Sequence, residues 1–279
     1  MLMEFEDWFL EQISNGKKCI LIGENHYSYA SEDCLDCILK LQRQGKINKK
    51  IVFFDETLTA LDNFEPYTLE SLSKLITVEP SLIALIKNNV EVYGLEDNVS
   101  NPFMNLKSIE KVTARLKNLG LQMESRIFND LDHCLYWAYH LYGKSLVRVQ
   151  RGNEGFCNQI LHKMDEDTIV IARVGAKHIP TVRKDGIIIE EGMLRRVGKN
   201  IASACFITHL PKNKIYSEQK TYQPESDTFG NYDSIECCMV PKKIVHQQDL
   251  TLWAEQQKKR KDNDNDDYKH TKKQRCTIL

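Results

Sequence analysis

Glu24 and His26 stand two residues apart at the end of a short apolar run, Cys19-Ile-Leu-Ile-Gly-Glu-Asn-His26. A later run, Ile169-Val-Ile-Ala-Arg-Val174, leads into Gly175-Ala-Lys-His178. Both passages end in Gly-x-x-His. Two further apolar stretches stop at acids: Ile51-Val-Phe-Phe54 at Asp55-Glu56, and Val90-Glu-Val-Tyr93 at Gly94-Leu-Glu96. Carboxylates and imidazoles brought together can do two things. They can hold a divalent cation (Mn, Co or Zn) and leave positions open for water. Or a carboxylate can orient a histidine that takes a proton from water without metal. Either route makes a hydrolytic nucleophile, and the residues leave both open. Clustered acids repel, so at least one carboxyl is expected to hold its proton more tightly than usual unless a cation neutralises it.

The bland reading has its own physics. A lone strand-end histidine is more often a hydrogen-bonded turn residue than a ligand. A lone glutamate there commonly faces the start of the next helix. His133, His140, His162 and His209 are read this way. The repeated Gly-x-x-His differs because both copies hold the same strand-to-helix position.

The elements that must position these residues follow from periodicity. Phe5, Trp8, Phe9 and Ile13 have helical spacing, ended at Gly16, and Leu35, Ile38, Leu39 and Leu41 continue a second helix to Gly45. Helical pieces fill 67–89, with Pro80 in a first turn. A helical hairpin is expected over 105–142, broken near Gly120, and another helix over 153–164. Ile187–Ile189 and Ala202–Thr208 read as late strands, taken as antiparallel. Strands alternating with helices predict an α/β fold: a mostly parallel sheet with helices on both faces, the inserted helical hairpin, and a C-terminal extension. In such sheets the polar residues beyond the carboxyl ends of strands line the ligand crevice. Glu24, His26, Glu56, Glu96 and His178 all belong to that rim, and the expectation is that they share one pocket.

Composition narrows the function classes. Net charge is −1 over 279 residues, so nucleic acid is not an expected partner. Nine cysteines with no framework spacing and no visible secretory signal read as reduced thiols in a cytosolic setting. Cys34-Leu-Asp-Cys37 lies in a helical pattern without a second knuckle, so it reads as packing and surface rather than a zinc site. No stretch reaches bilayer-spanning length.

Gly23-Glu-Asn-His26, Gly94-Leu-Glu96 and Gly175-Ala-Lys-His178 together resemble the erythromycin esterase / ChaN / TraB / TIKI superfamily, over roughly residues 15–210. The resemblance implies that Glu24, His26, Glu56, Glu96 and His178 are catalytic, with Glu24, His26 and His178 as the metal ligands in the metal-dependent branch. It implies an Arg-Asp or Arg-Asn pair for substrate. Here the sequence reads Arg151-Gly-Asn153, with one extra residue between the partners, so Arg151 and Asn153 are the substrate-binding candidates. The branches differ in chemistry: water-activating esterase, manganese- or cobalt-type metalloprotease, and haem- or iron-linked proteins.

Beyond about Leu210 the character changes. Residues 213–257 form an extension whose order the sequence does not fix. From Lys258 the composition is low in complexity and is expected to stay disordered. The last four residues, Cys276-Thr-Ile-Leu279, form a C-a-a-X box whose Leu favours geranylgeranyl transfer at Cys276. Eight Lys/Arg against four Asp lie between 258 and 275. A prenyl chain with a polybasic segment is the two-signal arrangement for an anionic membrane surface. The expected partners are therefore a prenyltransferase and the cytosolic face of a membrane. Prenylation is eukaryotic and the superfamily is common in bacteria, so a bacterial effector secreted into a host cell is the expected setting. The leading expectation is a membrane-anchored hydrolase. Its rival is an inactive binding module held at host membranes.

Overall fold

A computed structural model describes residues 4–24, 30–75, 79–122, 128–206, 221–224, 226 and 229–238. His26, His209, Cys276 and the polybasic tail lie outside the described residues. The elements in chain order are α1 Phe5–Ser14, β1 Cys19–Glu24, α2 Ala30–Arg43, β2 Lys50–Thr59, α3 Leu69–Ser73, α4 Pro80–Lys87, β3 Glu91–Glu96, α5 Ile109–Asn118, α6 Leu131–Gly143, α7 Leu146–Lys163, β4 Thr168–Gly175, β5 Val182–Lys184, β6 Ile187–Glu190, α8 Met193–Val197, β7 Ile201–Phe206, β8 Thr221–Tyr222, β9 Asn231–Tyr232 and β10 Ile235–Cys238.

The main sheet has the order β3-β2-β4-β1-β7-β10-β8. All of its pairings are parallel except β10 with β8. A small antiparallel sheet, β6-β5-β9, stands beside it. The expected α/β architecture is therefore present. Both faces of the sheet are covered. Ile20, Ile22, Phe53, Ile169 and Ile171 face one apolar layer with residues of α1, α2 and α4. Leu21, Phe54, Val170, Ala172 and Val174 face the other, with Phe156 and Ile160 of α7. This two-sided burial explains why the strands read as unbroken apolar runs rather than alternating ones. The α5/α6 hairpin has a third apolar cluster built on Phe103, Val112, Leu116 and Cys134.

Two expectations need correction, and the structure adds a placement for part of the C-terminal extension. β7 is parallel to β1, not antiparallel, because the β5–β6 hairpin and α8 provide the crossover that returns the chain to the same edge. Helix α7 starts at Leu146, seven residues before the predicted start. The hydroxyl of Ser145 caps it by accepting from the Arg148 N–H. The segment 221–238, assigned to the C-terminal extension, supplies β8 and β10 to the main sheet and β9 to the small one.

Cys34 and Cys37 are buried on α2, in line with packing. Burial raises the Cys37 thiol pKa, which disfavours the thiolate needed for metal or redox work. Beside the outer strand β3, Tyr67 forms an antiparallel bridge with Val92, its N–H donating to the Val92 carbonyl at 2.7 Å. The Tyr67 hydroxyl donates to the Thr59 carbonyl at 2.7 Å. Gly94 makes room for this return: a Cβ there would lie 2.3 Å from the Thr59 carbonyl oxygen. Among the described residues no helix is long and apolar enough to cross a membrane.

Candidate active site

Parallel strands β1, β2, β3 and β4 stop on one rim, and two cationic clusters form there. The first lies on the α7 side. Helix α7 turns Arg148, Gly152, Gly155 and Gln159 to one face, at helical spacing. The two glycines let other chain segments approach closely. A Cβ on Gly152 would sit 2.6 Å from Cε1 of His178 and 2.8 Å from Nη1 of Arg148. A Cβ on Gly155 would sit 3.1 Å from Oδ1 of Asp97. Gln159 donates to the Leu95 carbonyl at 2.8 Å and to Asp97 Oδ2 at 3.2 Å. Asp97 in turn accepts the N–H groups of Val99 and Ser100, which closes the turn that carries Glu96.

Arg148 bridges the acids of two strands. Its Nη2 donates to Glu56 Oε1 at 3.1 Å and to Glu96 Oε1. Glu56 also accepts the Gly175 N–H at the end of β4. Ser100 donates to Glu96 at 3.4 Å. Burial pushes the Glu96 carboxyl above its ordinary pKa; Arg148 pulls it back, and the Glu56 charge adds to the rise. This matches the expectation that clustered acids include one that holds its proton more tightly. Tyr142 ties the hairpin to the same turn by donating to the Ser100 carbonyl at 2.7 Å.

His178 sits in the short helical turn Ala176–His178 that follows β4. Gly23 serves this turn by what it lacks: a Cβ would meet Ile179 Cδ1 at 2.8 Å. The imidazole is buried against Phe156, with ring centroids 5.2 Å apart. Its Nδ1 lies 2.9 Å from Asn153 Oδ1, and its Nε2 lies 3.4 Å from Glu56 Oε1. The Asn153 amide is fully buried, and its Nδ2 donates to Glu190 Oε1 at 3.1 Å and to the Glu191 carbonyl at 3.2 Å. Both of those partners are acceptors, so the amide orientation is assigned by them. Oδ1 must then accept, and the His178 proton belongs on Nδ1. In the neutral ring this leaves the lone pair on Nε2, beside Glu56.

The second cluster occupies the opposite face. Arg173 of β4 is 2% exposed, on the same side as Ile169 and Ile171. It pairs with Asp55 of β2, with Glu79 before α4 at 2.6 Å, and with Glu24 of β1 at 3.9 Å. Burial works against its charge, but the three carboxylates outweigh it and raise the pKa. Burial also raises the Glu79 pKa, against the pull of Arg173.

Contacts therefore join Glu56, His178 and Asn153 directly, and Glu96 to them through Arg148. Glu24 is placed beside Arg173. Arg151, expected at the substrate, donates from Nε to the Val99 carbonyl at 2.7 Å; the rim cation is Arg148, one turn earlier. Sequence reasoning missed Arg148, Arg173, Glu79 and Glu190. Arg173 had a signal, since a charge inside an apolar strand must find partners. Arg148 had one in the Ser145 cap.

Among the described residues no three His, Cys, Asp or Glu side chains converge as metal ligands. Between Glu56 and Glu96 the Arg148 guanidinium supplies the positive charge. His133 and His162 keep the bland roles: His133 accepts from Trp137 at 2.9 Å, and His162 lies against Phe64.

No protein-family model matches the chain, and no curated protein matches it. Among solved structures it is similar to RRSP, a MARTX toxin effector domain from Vibrio vulnificus CMCP6, with 12% identity and a TM-score of 0.45. That match covers 88% of this chain and 41% of the other. A structure of bacterial protein toxins matches at 11% identity and TM-score 0.43, covering 85% of this chain and 39% of the other. The type III effector HopBA1 matches at 7% identity and TM-score 0.38, covering 85% and 94%. The chain thus spans about two fifths of the length of the first two. Likenesses of this size assign no activity.

Proposed function

We propose that the chain is a hydrolase whose base is His178. The observation that carries this reading is the buried run Asn153–His178–Glu56, with Nε2 of the ring 3.4 Å from a carboxylate oxygen at the sheet rim. Water at Nε2 would give up a proton to the ring. Its oxygen would bond to an acyl carbon, the bond to the leaving heteroatom would break, and the imidazolium would return the proton to that heteroatom. Glu56 faces the charged ring and steadies it. Arg148 keeps Glu56 and Glu96 in place. Glu24, beside Arg173, and His26, outside the described residues, stay in this proposal as candidate catalytic or metal-ligating residues.

The binding-module reading has one observation in its favour: Arg148 already neutralises both glutamates, and His178 is 6% exposed. One experiment separates the two. Purified protein is offered an ester and peptide panel, with and without manganese, cobalt or zinc. Turnover abolished by His178→Ala supports the hydrolase. Turnover that survives this change removes His178 as base, and a wild type inert on the whole panel leaves the binding module.

We propose the setting separately: an effector working inside a host cell. The similar toxin domains are too distant to argue it. A translocation reporter fused to the chain and scored in host cytosol is the test. Prenyltransfer to Cys276 requires Leu279 to be a free carboxyl terminus. The mass of the C-terminal peptide from a eukaryotic host decides both points, and an unmodified Cys276 discards the anchor.

A further inference from the structure

The buried amide of Asn153 is held from behind by a second pair of residues. Glu190 closes β6 and is 6% exposed. Its Oε1 accepts from Asn153 Nδ2 at 3.1 Å and from Arg196 Nη2 of α8 at 2.7 Å. The Glu191 carbonyl repeats the pattern, accepting from Asn153 at 3.2 Å and from Arg196 Nε at 2.8 Å. Each acceptor thus takes one bond from the amide and one from the guanidinium. The chain passes close to the segment after His178 just beyond: a Cβ on Gly192 would lie 2.2 Å from the Pro180 carbonyl carbon and oxygen, so only glycine allows this approach.

We propose that Glu190, clamped by Arg196, is a positioning residue for His178. It acts through Asn153 by fixing which ring nitrogen bears the proton; the consequence for catalysis rests on the hydrolase reading above. The argument is one of donors and acceptors. With Glu190 present, both Asn153 N–H groups have acceptors behind the amide, and Oδ1 must face the ring. Without it, the amide loses one of its two fixed acceptors and can turn. A turned amide presents N–H groups to Nδ1, which accepts only in the tautomer protonated on Nε2. The lone pair then leaves the atom that faces Glu56. Removing Glu190 alone would leave the partly exposed Arg196 guanidinium without its carboxylate, so both members of the pair are replaced together.

The test is therefore the double variant Glu190→Leu/Arg196→Leu, with Glu190→Gln as the conservative control. The readout is the histidine-ring nitrogen-15 spectrum of the full chain, without substrate. Wild type and Glu190→Gln, which keeps an acceptor oxygen, are expected to carry the proton on Nδ1 of His178. The double variant is expected to move most of the population to Nε2–H, with unfolding cooperative as in wild type. On an active substrate it should lose on the order of tenfold to a hundredfold in kcat, the usual scale for a residue that orients a functional one, with Glu190→Gln restoring most of that. A double variant that folds and keeps Nδ1–H overturns the proposal. So does a wild type whose neutral ring already carries its proton on Nε2. Should the double variant fail to fold, Arg196→Leu with Glu190→Gln reads the same signal without an apolar group at 190: any Nε2–H gain over Glu190→Gln supports the clamp, and none overturns it. A wild type inert on every substrate defeats the hydrolase reading while leaving the spectral result standing.

Discussion

Two guanidinium groups stand at the same sheet rim, on opposite faces. Arg173 is almost wholly buried and meets three carboxylates, one from each of two strands and one from the start of a helix. Arg148 is about a fifth exposed, meets two, and has an imidazole beside it. The first is surrounded on all sides by counter-charge and ties β1, β2, β4 and the entry to α4 together. The second leaves a titratable ring facing one of its own partners. The same pairing chemistry thus gives a clamp on one face and a reactive arrangement on the other, and the number of acids per cation makes the difference.

The largest effect should come from breaking the clamp. Arg173→Met leaves Asp55 and Glu24 buried without their cation and is expected to cost about 3–5 kcal/mol of unfolding free energy, read from urea denaturation. A loss below about 1 kcal/mol would mean Arg173 is no clamp. Next comes Gly152→Ala. Its methyl meets the His178 ring, which Asn153 anchors, so overpacking of about 1–3 kcal/mol is expected. Substrate turnover should fall with it. Third is Arg148→Met. Solvent reaches this pair, so the stability cost should be smaller, about 1–2 kcal/mol. Its damage to hydrolysis should nevertheless exceed that of Arg173→Met measured on the folded fraction. Equal losses for both arginines would erase the distinction between the faces.

The smallest effect concerns pH. Glu96 and Glu79 both have carboxyl pKa values raised above 4.5, in each case chiefly by burial. A raised carboxyl binds its proton more readily in the folded chain. Its contribution to stability is complete below the unfolded value and is lost as pH climbs through the folded one. Glu96→Gln should therefore flatten the decline in denaturation midpoint above pH 4.5. Glu79→Gln should do so less, because that side chain is 40% exposed. A steeper decline in either variant would contradict the sign.

The strands were readable because both faces of the sheet are covered, so Cys19–Ile22, Ile51–Phe54 and Ile169–Val174 appear as continuous apolar runs. The Gly-x-x-His passage ending at His178 was readable too; in the other, whose His26 lies outside the described residues, Gly23 makes room for Ile179 rather than adopting an unusual backbone angle. The first turns of α7 were not readable as helix. Gly152 lowers its intrinsic propensity there, and the purpose of Gly152 and Gly155 is visible only once His178 and the Glu96 turn are seen against them. Arg151 was singled out by its resemblance to an Arg-Asn pair, and Arg148 had no such motif to mark it. The partition of the acids between two faces was also hidden. Asp55 and Glu56 are neighbours in sequence, yet a strand sends them to opposite sides. A rim drawn as one line of residues therefore cannot show that Glu24 joins Arg173 while Glu56 joins Arg148.

The short return of the chain at Tyr67 has a consequence for behaviour at high concentration. An uncovered outer strand offers its amides and carbonyls to any passing chain, and that is how sheets grow from one molecule into the next. Here β3 spends one such site on Tyr67, whose N–H takes the Val92 carbonyl. A stranger's backbone would find that site already taken, so part of the protection against edge-on self-association is built into the covalent sequence itself.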